Sequence, residues 1–220
     1  MKNPADWLSV PTASVAIALF TLICGIYWIG VALVRRNREK EILVQTQPQL
    51  PTALDMVLVD IEKALQNKLF YLALVGTVTL MDMCAALESE DGKTNRGKLA
   101  AWFTQNMGSL YSYLEGMDCY GLRSGLVHQG IAKTTAQGHA SKWRKIIFLL
   151  PSDFTFSNGA LNDAYVTNLA EFCRDVCARV KVWRTAKSGN PIFEKNIDEL
   201  MKFRRDGYPG YVVGNVESLG

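Results

Sequence analysis

The chain has 220 residues, 49% of them apolar, a formal net charge of +3 and a slightly positive mean hydropathy of +0.04. That length fits one membrane segment plus one domain of ordinary size, and the charge is too mild for a basic nucleic-acid coat, so any RNA contact has to rest on a local patch. The five cysteines, Cys24, Cys84, Cys119, Cys173 and Cys177, are odd in number and one lies in an apolar N-terminal run; this does not suggest a disulfide framework, and reduced thiols in a cytosolic compartment fit better.

Residues 1–12 are a short N-terminal stretch, and Ala13 to Val34 contains no charged side chain. As a helix rising about 1.5 Å per residue, that run spans roughly the 30 Å hydrocarbon core of a bilayer. Trp7 stands before it and Tyr27 and Trp28 in its second half, as interfacial aromatics would. Arg35, Arg36, Arg38 and Lys40 follow, against Lys2 alone in front, so the positive-inside rule puts the N-terminus outside and the main domain in the cytoplasm. A cleaved signal peptide fits less well: the run is long, its charge bias is reversed and no A-x-A site follows. Residues 35–51 form a basic juxtamembrane segment and linker, and 52–220 the main domain.

Thr52-x-x-Asp55 opens a helix as a variant capping box, with Leu54, Val57, Leu58, Ile61 and Leu65 at helical spacing. Asn67–Lys68 marks a bend. Leu69 to Met81 is strongly apolar but short for a second span and ends in Asp82, which predicts a buried bundle helix continuing to Leu87. A third helix is expected over Gly97 to Leu114, with Leu99, Trp102, Phe103, Met107, Leu110 and Leu114 inward, broken by Gly116–Met117. Asp118 is the expected N-cap of a fourth helix and Gly130 its left-handed C-terminal stop. Ile131 to Lys145 reads as a polar loop, Ile146 to Leu150 as a strand before Pro151, and Leu161 to Thr185 as a long helix. A short helix from Pro191 to near Phe203 follows, then Tyr211 to Val213 as a last strand beside Ile146 to Leu150. The expected fold class is thus mainly α: a transmembrane helix, then an antiparallel helical bundle with a small two-stranded β element.

Within the fourth helix, Arg123 and His128 form an R-x4-H pair near the C-terminal end. The helix dipole there favours a protonated imidazole. Arginine offers a planar fork of donors that matches phosphate oxygens, and histidine can exchange a proton with a ribose 2′-hydroxyl or a leaving oxygen near neutral pH. Positions five apart point about 140° from each other around a helix, so a shared site needs the long arginine to curl back, or a second protomer. A structural reading stands beside this one: Arg123 pairing with Asp82, Glu88 or Asp118, and His128 bonding a loop carbonyl.

The run from Lys68 to Pro151, with D-x-C-x-x-L-E at Asp82–Glu88 and D-C-Y-x-x-R-x-x-x-x-H-Q-G at Asp118–Gly130, resembles the HEPN superfamily, in particular a group of uncharacterised bacterial HEPN-like proteins. The resemblance implies an up-and-down bundle of four or five helices that dimerises. It also implies a metal-independent endoribonuclease whose R-x4–6-H motifs meet across the dimer cleft, with no cofactor. It makes Arg123 phosphate-stabilising and His128 the general acid/base; beside the resemblance, Ser124, Asp82, Glu88 and Asp118 are supporting candidates from their positions, Asp82 and Glu88 as groups that orient Arg123 or satisfy helix ends. The residue after the arginine departs from the pattern: Ser124 stands where such ribonucleases often carry Asn, Asp or His. Other superfamily members are non-catalytic binding or regulatory modules.

Lys133, His139, Lys142, Arg144 and Lys145, with Trp143 among them, are candidates to grip an RNA backbone. Cys173 and Cys177 lie four apart on one helix face but fit the core better than half of a metal site, since no second Cys/His pair sits at ligand spacing. A nucleophilic Cys119 lacks a base in supporting position. The expectation is therefore a membrane-anchored HEPN-like protein in the bacterial inner membrane, a homodimer acting on cytosolic RNA through Arg123 and His128. The alternative is a non-catalytic membrane-tethered helical module that recruits a protein partner.

Overall fold

In the computed structural model, the described residues are 50–132, 143–152 and 158–220. The expected span at residues 13–34, the basic segment after it, and Lys133, His139 and Lys142 lie outside them. Leu50–Gly220 is a compact unit by itself. Its first helix, α1 (Ala53–Gln66), starts with the capping box expected of Thr52 and Asp55 and buries Leu54, Ile61, Ala64 and Leu65. It ends at Asn67–Lys68, where Lys68 takes φ +57, and the chain reverses into α2 (Phe70–Leu87).

α2 is the helix around which the others assemble, touching α1, α3 (Arg96–Met107), α4 (Gly116–Gln129), α5 (Leu169–Lys187) and α6 (Pro191–Asp198). Its mean hydropathy of 1.8 would suit a membrane span, but Ala73, Val78, Leu80, Met81 and Cys84 are sealed against neighbouring helices. A helix apolar on all sides belongs in a core when protein surrounds it. Each fully buried Leu, Phe or Met contributes about 1.5–3 kcal/mol relative to exposure, and Trp102, Phe103, Met107 and Phe172 complete the same core.

The third helix ends at Met107, earlier than the sequence suggests, because Gly108 and two turns closing on the Met107 carbonyl break it. Tyr111 and Leu114 remain buried from this non-helical stretch. Gly116 begins α4 instead of breaking the previous helix, and the N-cap is Glu115, not Asp118. Asp118 occupies the third helical position and accepts from the Glu115 backbone N–H at 3.1 Å.

The β portion is larger than expected. A three-stranded sheet has the order β1 (Lys145–Leu149), β3 (Ala164–Asn168), β2 (Asn158–Leu161), with β1 parallel and β2 antiparallel to β3. The long helix begins at Leu169, not Leu161, because Asn162 at φ +54 and Asp163 turn the chain into a hairpin. Asn168 then caps α5 by accepting from Glu171 N at 3.0 Å. The sheet joins the bundle through the Phe148–Phe172 ring contact, with centroids 5.6 Å apart, and Trp143, which packs on Tyr165 of β3 at 6.2 Å, donates Nε1 to the Tyr113 carbonyl at 2.6 Å.

α6, capped by Asn190 with Pro191 in its first turn, stops at Asp198 rather than near Phe203. Its buried Asn196 donates to the carbonyls of Leu87 and Ser89, at 3.1 and 2.7 Å, and so closes the C-terminal end of α2. Phe203–Arg204 (β4) pairs with Ser218–Leu219 (β7), and Gly207–Tyr208 (β5) with Val212–Val213 (β6). Tyr211–Val213 therefore does not flank β1: β1 takes β3 as its neighbour.

Candidate functional site

The α4 sequence, GMDCYGLRSGLVHQ, is a weak helix former, with glycines at 116, 121 and 125. An interior glycine costs roughly 0.5–1 kcal/mol against alanine, so packing has to hold the helix. Cys119, Leu122 and Leu126 are buried for that purpose, and Cys119 Sγ sits 3.9 Å from Met81 Sδ of α2. Gly116 lies so close to α3 that a Cβ there would meet the Ala100 carbonyl oxygen at 2.1 Å. Gly130, at φ +67, ends the helix and bonds back to the Leu126 carbonyl.

This frame brings the two motif residues together within one chain. Arg123 Nη1 is 3.2 Å from His128 Nε2; the arginine curls along the helix to reach it. Guanidinium has no acceptor, so in this contact the imidazole accepts at Nε2 and holds its own proton at Nδ1. On its other side Arg123 Nη2 donates to Asp82 Oδ2 at 2.6 Å. The Arg123 and Asp82 side chains are 24% and 12% exposed, a pair mostly withdrawn from water, whereas His128 is exposed. Arg123 Nε is buried without a hydrogen bond among the described residues. Tyr71, on the first turn of α2, donates to the Leu126 carbonyl at 3.3 Å and stands beside the α4 C-terminus with its ring half exposed. Tyr71 was not picked out from sequence; an exposed aromatic in the first turn of an otherwise core helix is the signal that would have found it.

Of the other candidates, Asp82 is in place and Glu88 is not. Glu88 Oε1 instead accepts from Trp183 Nε1 at 2.7 Å and Lys187 Nζ at 2.8 Å, which ties the end of α2 to α5. Asp118 serves the start of α4 as described, and Ser124 is buried next to Arg123. Arg144 and Lys145 are exposed where β1 begins, with Arg144 3.6 Å from Asp163.

A thiol mechanism is disfavoured. Cys119 is fully buried, and burial first, then the carboxylates of Asp118 and Asp82, push its thiol well above the usual range. Burial likewise raises Cys173 to about 12 and Cys177 to about 11. Among the described residues no three His, Cys, Asp or Glu side chains group as a metal site. No protein-family model, no curated protein and no solved structure matches the chain.

Proposed function

We propose that the chain is a membrane-anchored, HEPN-like endoribonuclease that cleaves cytosolic RNA as a homodimer, with Arg123 and His128 as the reacting pair. The observation that carries this reading is the 3.2 Å approach of the guanidinium to the accepting nitrogen of an exposed imidazole. A base needs that free nitrogen, and a phosphate needs that fork of donors.

His128 Nε2 takes the proton of a ribose 2′-hydroxyl, and the 2′-oxygen forms a bond to the adjacent phosphorus. Arg123 turns Nη1 from the imidazole to a non-bridging oxygen and stabilises the charge that gathers there. The bond to the 5′-oxygen breaks, and that oxygen leaves with a proton returned by an imidazolium, here His128 of the same or the second protomer. The products are a 2′,3′-cyclic phosphate and a 5′-hydroxyl, and no metal or cofactor enters the balance. The apolar run at residues 13–34 holds the domain to the bacterial inner membrane with the N-terminus outside, and Lys133, His139, Lys142, Arg144 and Lys145 offer backbone contacts to the RNA.

The test is incubation of residues 50–220 with total RNA in the presence of a chelator, followed by analysis of the new ends. Cyclic-phosphate ends with the wild type and none with His128→Ala support the reading; an inactive wild type removes it.

The Asp82–Arg123 ion pair favours a second reading. A guanidinium already neutralised by a mostly buried carboxylate fastens α2 to α4, as a non-catalytic module that recruits a protein partner at the membrane would require. In that case Arg123→Ala lowers stability and the wild type cleaves no RNA.

A further inference from the structure

The start of α2 stands clear of the core that the rest of the helix fills. Ala73, Leu74, Val78, Leu80 and Met81 are buried, yet Leu69, Tyr71 and Leu72 just before them are each more than half exposed. Of these three side chains only that of Tyr71 carries a polar group, and its hydroxyl donates to the Leu126 carbonyl at 3.3 Å. That carbonyl already accepts from Gly130 N–H at 3.2 Å, so the end of α4 is satisfied without the phenol. What the bond does is hold the ring. Tyrosine has two side-chain torsions, and a tethered hydroxyl fixes its flat face at small entropic cost. The residue stays 53% exposed, so an aromatic face is held in water.

The ring stands at the end of α4 that carries the imidazole. Leu126 and Gly130 flank His128 in sequence; the first accepts the Tyr71 hydroxyl, and a Cβ on the second would stand 3.7 Å from it. Arg123 reaches the same turn through its 3.2 Å contact with His128. The last turn of α4, about 5.4 Å long, therefore gathers a donor fork, a proton acceptor and an aromatic face. These match the three parts of a nucleotide: phosphate, ribose hydroxyl and base. A ribose presented to His128 brings its base with it, and every base has a π-face that stacks on an aromatic ring. In a duplex that face is covered by neighbouring bases, so only an unpaired base can be turned out onto the ring.

We infer that Tyr71 selects unpaired RNA: its ring is the platform on which a base beside the cleaved bond stacks. This rests on the endoribonuclease reading of Arg123 and His128 and adds to it the class of substrate, single-stranded RNA with a free base. Tyr71 acts on binding and not on proton transfer. The hydroxyl matters only as a tether, so phenylalanine keeps the platform, whereas leucine, apolar but without a flat face, loses it.

The test uses the full chain and a short single-stranded RNA whose 2′-fluoro groups prevent cleavage, with 2-aminopurine, which loses emission on stacking, in place of each base in turn. At one position the wild type and Tyr71→Phe should quench the aminopurine. Tyr71→Leu should not, and should bind roughly 5- to 150-fold more weakly with an unchanged circular dichroism spectrum. An abasic site at that position should weaken the wild type by the same factor and Tyr71→Leu not at all, and the complementary duplex should not be quenched. Equal binding by Tyr71→Leu and the wild type, equal losses in Tyr71→Phe and Tyr71→Leu, or quenching of the duplex overturns the inference. So does a Tyr71→Leu variant that binds normally but sediments differently, since a second copy then covers the ring. Cleavage of total RNA, read alongside, keeps the two readings apart. A wild type that cleaves without Tyr71-dependent quenching loses the platform and keeps the nuclease; one that quenches without cleaving loses the nuclease and keeps the platform; one that does neither loses both.

Discussion

Asp82 Oδ2 accepts from Arg123 Nη2 at 2.6 Å across the seam between α2 and α4, and the same guanidinium reaches His128 Nε2 at 3.2 Å. Carboxylate, guanidinium and imidazole thus form a chain from the mostly buried flank of the bundle to its exposed helix end. Asp82 fixes the direction of Arg123, and a fixed donor fork costs less to organise around a transition state than a free one.

Asp82→Asn keeps the shape and removes the charge. The pair is neither surface-exposed nor fully buried, which places the stability cost at about 1–2 kcal/mol, between values typical of the two extremes. Denaturant unfolding measures it. RNA cleavage should fall more than stability explains, because the arginine loses its bearing; equal cleavage by the variant and the wild type would contradict the positioning role.

His128→Ala should separate chemistry from folding. The side chain is exposed, and substitutions at exposed positions usually stay within about 0.5 kcal/mol. Loss of a general acid/base typically costs about 10²–10⁴ in rate. Single-turnover cleavage of a short RNA, together with a melting curve of the same preparation, gives both numbers. A variant that melts well below the wild type makes the imidazole a structural group.

Two glycines should respond with opposite sign to the same change. Gly116→Ala places a methyl 2.1 Å from the Ala100 carbonyl oxygen; helix backbones must part to admit it, at a cost of about 1–3 kcal/mol. Gly97, exposed near the start of α3, has only the Asn95 side-chain oxygen, 3.5 Å from where a Cβ would stand. Gly97→Ala should therefore stabilise by about 0.5 kcal/mol through helix propensity. Parallel urea titrations of the two variants and the wild type decide both.

What the chain discloses before folding depends on how local the determinant is. The Thr52–Asp55 box and the Gly130 stop each act within a few residues, and both are readable from the letters. Asp118 misleads because two carboxylates three residues apart, Glu115 and Asp118, satisfy each other's backbone donors, and either one alone looks like a cap. The β2–β3 hairpin is hidden because Ala164, Tyr165, Val166 and Thr167 are all buried, so β3 lacks the alternation that marks a strand with one face in water. In the site, the R-x4-H spacing named Arg123 and His128, but Asp82, 41 residues away from Arg123, could only be one of three possible partners. Helix packing selects it and assigns Glu88 to Trp183 and Lys187.

Acid should weaken the domain partly through Asp55. Burial raises its pKa, but donors from Arg184 and from the Thr52 backbone and hydroxyl outweigh that, and the net shift is downward. Asp55 Oδ1 accepts from Arg184 Nη1, and Oδ2 accepts from Thr52 N at 3.0 Å and Thr52 Oγ1 at 2.8 Å, so one carboxylate joins the start of α1 to α5. A carboxylate with a depressed folded-state pKa contributes stability that is fully present above its unfolded value, about 3.9, and is lost as pH falls through the folded one. The wild type should therefore lose stability below about pH 4 more steeply than Asp55→Asn, which has no proton to gain there. At neutral pH Asp55→Asn should be the less stable of the two, and Thr52→Ala, which removes the cap but leaves the ion pair, should cost about 1 kcal/mol. Urea midpoints of the three proteins from pH 7 downward check this; parallel acid limbs for wild type and Asp55→Asn would show that other carboxylates govern the acid response.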